Sequence, residues 1–239
     1  MITVGGQTVN LSVNEMQQFR GEAVEDTAKT VSGYVDAIVA RVYEHSFIED
    51  LAKHATVPVI NGLSNSYHPC QTLADFMTIK EHKKKFKDLK IAWIGDGNNV
   101  CNSLIFGCSK TQAEIVIATP KGFEPNSDVV KKSSKYTSVD LTTDPESAVK
   151  DADIVMTDTF TSIHTSDPKR IEKFLPAFQV NDSLMEKAKN DAIFMHCLPA
   201  KREQEVTGSV IDGPQSVVWN EAENRLHSQK ALLLSLVGI

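Results

Sequence analysis

The sequence predicts an α/β protein made of two doubly wound parallel-sheet domains, the N-terminal one incomplete. Three observations carry this. Short β-branched runs alternate with helix-length amphipathic stretches along the chain, the pattern of parallel strands joined by covering helices. The charged stretch 83–90 interrupts that pattern, and a complete α/β unit restarts at Ile91. Before the break only two convincing strands occur, too few for an independent doubly wound sheet. The boundary is therefore expected near residue 84, with 1–84 a partial first domain and 85–220 a Rossmann-like second one.

The elements follow in order. A helix over 22–32 carries acidic residues in its first turns and a lysine later, as the helix dipole favours. "AIVARV" at 37–42 and "VPVI" at 57–60 are short apolar runs suited to buried strands. The helix expected over 71–82 follows "HP", where a proline suits the first turn because its missing N–H is no loss. "KIAWIG" (90–95), "EIVIAT" (114–119), "DIVMTD" (153–158) and "AIFMHC" (192–197) read as the strands of the second sheet, with helices over 99–110, 144–150 and 182–189 between and around them. "SVVWN" at 216–220 is expected as a last strand from its β-branched and aromatic residues, and 221–237 as a final amphipathic helix.

Composition bounds the function. The 239 residues are 41% apolar and 23% charged, which is ordinary globular usage, and the formal net charge of -6 argues against a nucleic-acid footprint. Cys70, Cys101, Cys108 and Cys197 lie far apart with no C-x-x-C, so reduced thiols in the cytoplasm are expected. "ALLLSLVGI" near the C-terminus is too short to span a bilayer and continues an amphipathic helix.

In open α/β sheets ligands bind beyond the carboxyl ends of the strands. Arg41, His68, Gln71, Asp96, Asn98, Asn99, Asp158, His196 and Cys197 all fall at or just past such ends, a convergence of polar groups expected of a small-molecule site. His68 and Gln71 stand at a helix N-terminus. An imidazole N–H, a carboxamide N–H2 and the Arg41 guanidinium are types that can converge on one carbonyl oxygen and stabilise the charge it gains under nucleophilic attack. A histidine acting only as a helix cap is the plainer alternative.

"GDGNNV" at 95–100 invites a dinucleotide reading, but Val100 occupies the third glycine position and the next strand ends in "IATP" without an acidic residue for a ribose. Asn98 and Asn99 then either hold a polar substrate or tighten the turn. Asp158 could bind a ligand ammonium group or serve as a turn residue. A Cys197–His196 nucleophilic dyad is disfavoured, because neighbours on a strand point to opposite faces, and no pair of ligating residues has metal spacing.

Taken together, "RGEAVEDTAKTVSGYVDAIVARVY", "VPVINGLSNSYHPCQTLADFMTI", "IAWIGDGNNVCNSL", "ATPKGFEP", "HCLPAKREQEV" and "AENRLHSQKALL" resemble the ornithine carbamoyltransferase family of the aspartate/ornithine carbamoyltransferase superfold. The resemblance runs over nearly the whole chain from about Gly5. It implies transfer of the carbamoyl group from carbamoyl phosphate to the δ-amine of L-ornithine, the citrulline-forming step of arginine biosynthesis, by a cytoplasmic homotrimer without metal or organic cofactor. It further implies that 1–84, with helix 221–239 packing back on it, binds carbamoyl phosphate and 85–220 binds ornithine. By the same likeness Arg41, His68 and Gln71 hold the carbamoyl carbonyl oxygen. Asn99, Asp158 and Ser162, with neighbouring Ile163, hold the amino-acid end of ornithine. Cys197 and Leu198 line the point of attack, and Arg225 faces the transferring group. Gln17 corresponds to the position that reaches a neighbouring subunit's phosphate site.

Two departures bear on activity. The family's Ser-Thr-Arg-Thr phosphate segment does not occur, so weaker affinity for carbamoyl phosphate is expected, along with a sheet lacking its opening strands. "DTFTSIHT" stands where the family reads Asp-x-Trp-x-Ser-Met-Gly, and Phe160, Ile163 and His164 bear on which amino acid is accepted. Two other classes compete with an active transferase. One is a shortened, non-catalytic homologue acting as a binding or oligomer subunit. The other is a nicotinamide dehydrogenase resting only on "GDGNN".

Overall fold

The computed structural model describes residues 4–11, 21–161 and 168–238. In the first part α1 (Val24–Ser32) leads into β1 (Ile38–Arg41), α2 (His45–His54) and β2 (Val59–Leu63). The two strands pair in parallel, Ile38 opposite Val59, and form a two-stranded sheet. Ala28 of α1, Ala40 of β1, and Ile48 and Leu51 of α2 make a small core beneath it. Both helices are strongly amphipathic, so each gains stability mainly by burying one face.

Then α3 (Pro69–Lys83) crosses to the second part, where β3 (Lys90–Ile94), α4 (Asn99–Thr111), β4 (Glu114–Ala118), α5 (Ser127–Ser133), β5 (Val139–Thr142), α6 (Pro145–Val149), β6 (Ile154–Thr157), α7 (Pro168–Ile171), α8 (Asp182–Met185), β7 (Ile193–His196), α9 (Gly208–Ile211) and α10 (Val218–Val237) follow. The second sheet is wholly parallel, in the order β5-β4-β3-β6-β7. Ile91 and Trp93 enter the core on the α4 side, Ala92 and Ile94 the core with Phe160 and Phe174. This alternation, with both faces covered, explains why the strand reads as an unbroken apolar run. The order runs outward from β3 to β5 and returns through β6 on the other side of β3. The switch point, where crevices form, therefore lies between the ends of β3 and β6.

One expected element is corrected. Residues 216–220 are not a strand: Ser216 makes a single isolated bridge to Phe194, and α10 already begins at Val218. The β-branched pair and tryptophan suggested a strand, but Val218, Glu221, Asn224 and Ser228 are all buried, at helical spacing. That stripe packs along α3 and reaches the end of β7, so α10 bridges the two parts of the molecule. β5 also lies outside the expected elements. It is an edge strand whose middle residues are exposed, which is why it carries Asp140 and reads as polar.

Candidate active site

The site is assembled from five places: the end of β1, the N-terminus of α3, the end of β6, the turn after β7, and the middle of α10. What brings α3 to the second sheet is one face of α4. Asn99 donates its amide N–H to the Ser64 carbonyl (2.7 Å), Asn102 to the Ser66 carbonyl (3.2 Å), and Ser103 Oγ accepts the His68 N–H (2.7 Å). Positions 99, 102 and 103 share a face because they are three and four residues apart. Asn98 caps α4, its Oδ1 accepting from Val100 and Cys101 N–H, and donates its own N–H to Asp158 Oδ2 at 2.7 Å.

These contacts decide the reading of "GDGNNV". The first free N–H groups of α4 are satisfied by Asn98, so they are not open to a pyrophosphate. A Cβ on Gly97 would lie 2.2 Å from Pro125 N and 2.6 Å from Phe123 O, so this glycine is required by the chain after β4. Gly97 N–H also donates to Phe123 O at 2.8 Å. Asp96 is held by Arg170, which stacks over Phe123, and burial raises its carboxyl to about 6.

His68 is buried at the mouth of α3. Burial first, then the charges of Arg225 and Arg41, push its imidazole down to about 3, so the ring is neutral at physiological pH and carries one N–H. Arg41, exposed at the end of β1, is thus near enough to act on it electrostatically. Gln71 is fully committed. Its Nε2 donates to Asp75 Oδ1 (2.8 Å) and Glu221 Oε1 (3.0 Å), and its Oε1 accepts from Arg225 Nη1 (2.6 Å). Both protons of its N–H2, expected at a substrate carbonyl, are here given to buried carboxyls. Asn99 directs its N–H2 at the Ser64 carbonyl, which leaves its Oδ1 as the atom for a ligand.

Asp158 accepts from Asn98, from Thr159 N–H (2.7 Å) and from Cys197 Sγ (3.2 Å). Burial, then the negative charges of Asp158 and Glu221, drive the Cys197 thiol well above its ordinary range. It is a neutral hydrogen-bond donor and not a thiolate nucleophile. His196 and Cys197 come closer than strand alternation predicts, because β7 ends at His196. Atoms of Asp158, His196 and Cys197 lie within 4.8 Å of one another. They do not make a metal centre, for both His196 nitrogens are engaged: Nδ1 accepts from Leu198 N–H (2.8 Å) and Nε2 faces Glu205 (3.2 Å). Leu198 is held at φ 53, a left-handed conformation costly for a branched residue and typical of a functional turn. Gln17, Ser162, Ile163 and His164 lie outside the described residues.

Arg41, His68, Gln71, Arg225, Asp158, Cys197 and Leu198 thus border one region, linked by the hydrogen bonds and charge effects above. Residues the sequence reading passed over are Asp75, Glu221 and Glu205, all wholly buried. A signal existed for the first two: Gln71 and Asp75, and Glu221 and Arg225, are pairs four apart, so each pair shares a helix face.

Two family models match the chain. "Aspartate/ornithine carbamoyltransferase, carbamoyl-P binding domain" covers residues 1–81, and "Aspartate/ornithine carbamoyltransferase, Asp/Orn binding domain" covers 87–236. An ornithine carbamoyltransferase of Cenarchaeum symbiosum is 61% identical over 236 residues, spanning 99% of this chain and 78% of that protein. The structure of ornithine carbamoyltransferase from Pyrococcus furiosus is 51% identical with a TM-score of 0.95, over 100% of this chain and 78% of that one. The enzyme from Thermus thermophilus is 40% identical with a TM-score of 0.91, over 99% and 79%.

Proposed function

Because the chain belongs to the aspartate/ornithine carbamoyltransferase family, we propose that it transfers the carbamoyl group of carbamoyl phosphate to the δ-amine of L-ornithine, giving L-citrulline and phosphate. The single observation that carries this reading is the meeting of the α3 mouth, Arg225 and the Asp158–Cys197 pair at the switch point of a parallel sheet. We assign residues 1–84 with helix 221–239 to carbamoyl phosphate and 85–220 to ornithine; the two family matches divide the chain between residues 81 and 87, and the packing of α10 along α3 is what joins the last helix to the first part.

The neutral δ-amine attacks the carbonyl carbon. As the N–C bond forms, the carbonyl oxygen gains negative charge. The C–O bond to phosphate then breaks, phosphate leaves with the electron pair, and the amine nitrogen releases a proton. The one N–H of neutral His68 and the Arg41 guanidinium are the donors suited to the charged oxygen. Gln71 acts as a brace that fixes Arg225 and not as a third donor. Asp158, an acceptor with no competing cation bonded to it among the described residues, suits the ornithine α-ammonium. Asn99 Oδ1, Ser162 and Ile163 complete that end, with Leu198 and the Cys197 thiol beside the point of attack and Gln17 toward the phosphate of a neighbouring subunit. A cytoplasmic homotrimer is the assembly this reading implies. Among the described residues no helix is long and apolar enough to cross a membrane.

The test is colorimetric citrulline formation by the purified 239-residue chain with ornithine or aspartate as acceptor. Turnover with ornithine alone is the expected result. A folded chain that shows no turnover at saturating substrates would instead be a non-catalytic homologue.

A further inference from the structure

Asp75 and Glu221 come from helices that meet between the two parts of the molecule, and neither has any solvent exposure. Their carboxyls lie close enough that each acts on the other's ionisation. The Gln71 carboxamide spans the pair, one N–H to each, while Glu221 Oε2 accepts the backbone N–H of His196 at 2.9 Å, one residue before Cys197. Asp75 Oδ2 is buried with no N–H or hydroxyl to bond.

We infer that Asp75 and Glu221 hold one proton between them and act through it as positioning residues, locking Gln71 against Arg225 and tying the Cys197 turn to α3. The inference rests on the carbamoyltransferase reading only for its effect on turnover.

The donor count favours one proton. Four carboxyl oxygens face three N–H groups, and two ionised carboxylates sharing one carboxamide would repel each other with one oxygen left without a donor. A proton retained on the pair supplies the missing donor. The charge count agrees, since the titratable and charged groups acting on or felt by the pair are Arg225 on α10, Asp158 beyond β6, Cys197 beyond β7 and Cys108 on α4. Of these only Arg225 is a cation, and Asp158 adds a negative charge, so a second negative charge on the pair would have no counter-charge. Burial is the first cause raising both carboxyls, Asp75 to about 7 and Glu221 well above its usual range.

The lock has a direction. A guanidinium donates only, and carboxylate oxygens accept, so the Gln71 amide is held with its oxygen toward Arg225. If both carboxyls ionise, repulsion separates α3 from α10, and Gln71, Arg225 and the His196–Cys197 turn lose their common brace.

Two measurements test this on the full chain. The first is infrared spectroscopy without substrates at pH 8. A protonated-carboxyl C=O stretch is expected, absent from both Asp75→Asn and Glu221→Gln. No such band in the wild type, or one that survives in both variants, overturns the shared proton whether or not the chain is active. The second compares citrulline turnover of Asp75→Leu and Asp75→Asn. Loss of kcat by about a hundredfold with KM nearly unchanged is expected for Leu, with most of it restored by Asn, whose amide keeps a fixed donor at that place. Equal kcat in the wild type and a folded Leu variant refutes the positioning role. If the Leu variant does not fold, a kcat–pH profile decides. The alkaline limb that comes from ionisation of the pair should be absent in Asp75→Asn, and an unchanged limb refutes the role.

Discussion

Replacing Gly97 by alanine separates the two readings of "GDGNN" by an outcome that each makes differently. The added methyl would sit 2.2 Å from Pro125 N, 2.5 Å from Glu124 C and 2.6 Å from Phe123 O. All three are backbone atoms, so no side-chain rotation relieves the clash and the chain after β4 must move. Overpacking of this kind costs about 2–3 kcal/mol. Shifting the segment also strains the Gly97 N–H to Phe123 O bond, worth about 1 kcal/mol net. The sum is roughly 3–4 kcal/mol, or a fall in Tm of about 6–15 °C for a chain of this size. Calorimetric or circular-dichroism melting of the purified variant reads it directly. Because Asp96 and Asn98 flank the glycine, citrulline turnover should fall as well. If Gly97 were there to let a cofactor phosphate approach, the variant would melt within a degree or two of the parent and lose only nucleotide affinity. That result would refute the packing argument.

Further predictions concern Cys197, Asp158 and His68. The Cys197 thiol sits well above its ordinary range, so at pH 8 its reaction with iodoacetamide should be at least about tenfold slower than that of a free cysteine. Cys197→Ser keeps a donor for Asp158 and should lose far less than the roughly 10⁴-fold expected on removing a nucleophile; a loss that large would show covalent catalysis. Removing the Asp158 charge with Asp158→Asn should raise the KM for ornithine about a hundredfold while leaving carbamoyl phosphate binding unaltered by calorimetry, and an unchanged ornithine KM would place the ammonium elsewhere. His68 has a folded value near 3, below its unfolded 6.5. The unfolded state therefore binds the extra proton, and stability from neutral His68 is present above about pH 6.5 and lost as pH falls toward 3, on the order of 5 kcal/mol in all. In urea unfolding, His68→Gln should flatten that acid limb, whereas a parallel curve would mean that His68 is not buried neutral.

Local features were legible in the sequence. Pro69 after His68 marked the start of α3, and the apolar runs at 90–94, 114–118, 154–157 and 193–196 marked four strands of the second sheet. "VVW" misled because a β-branched pattern of three residues has no period of its own; only the buried stripe Val218, Glu221, Asn224, Ser228 reveals a helix, and three of its four members are polar. The rim of the site was readable because strand ends in a parallel sheet share one edge. The direction of each side chain was not. Gln71 looked like a substrate donor since its two carboxyl partners were invisible, Asp75 as an ordinary helical aspartate and Glu221 some 150 positions away. Asn99 likewise looked free because Ser64, its partner, sits in a loop of the other part of the chain.

The account rests on one cleft in which a carbonyl oxygen is held between His68 and Arg41 while Asp158 anchors the attacking amino acid. A crystal structure of the chain with a bisubstrate analogue, a phosphonoacetyl group joined to the ornithine δ-nitrogen, tests this most directly. The amide oxygen of the analogue should lie within hydrogen-bonding distance, about 3 Å, of a His68 ring nitrogen and the Arg41 guanidinium, with the α-ammonium on Asp158. An analogue bound with its amide oxygen away from His68, or its ammonium away from Asp158, would contradict it.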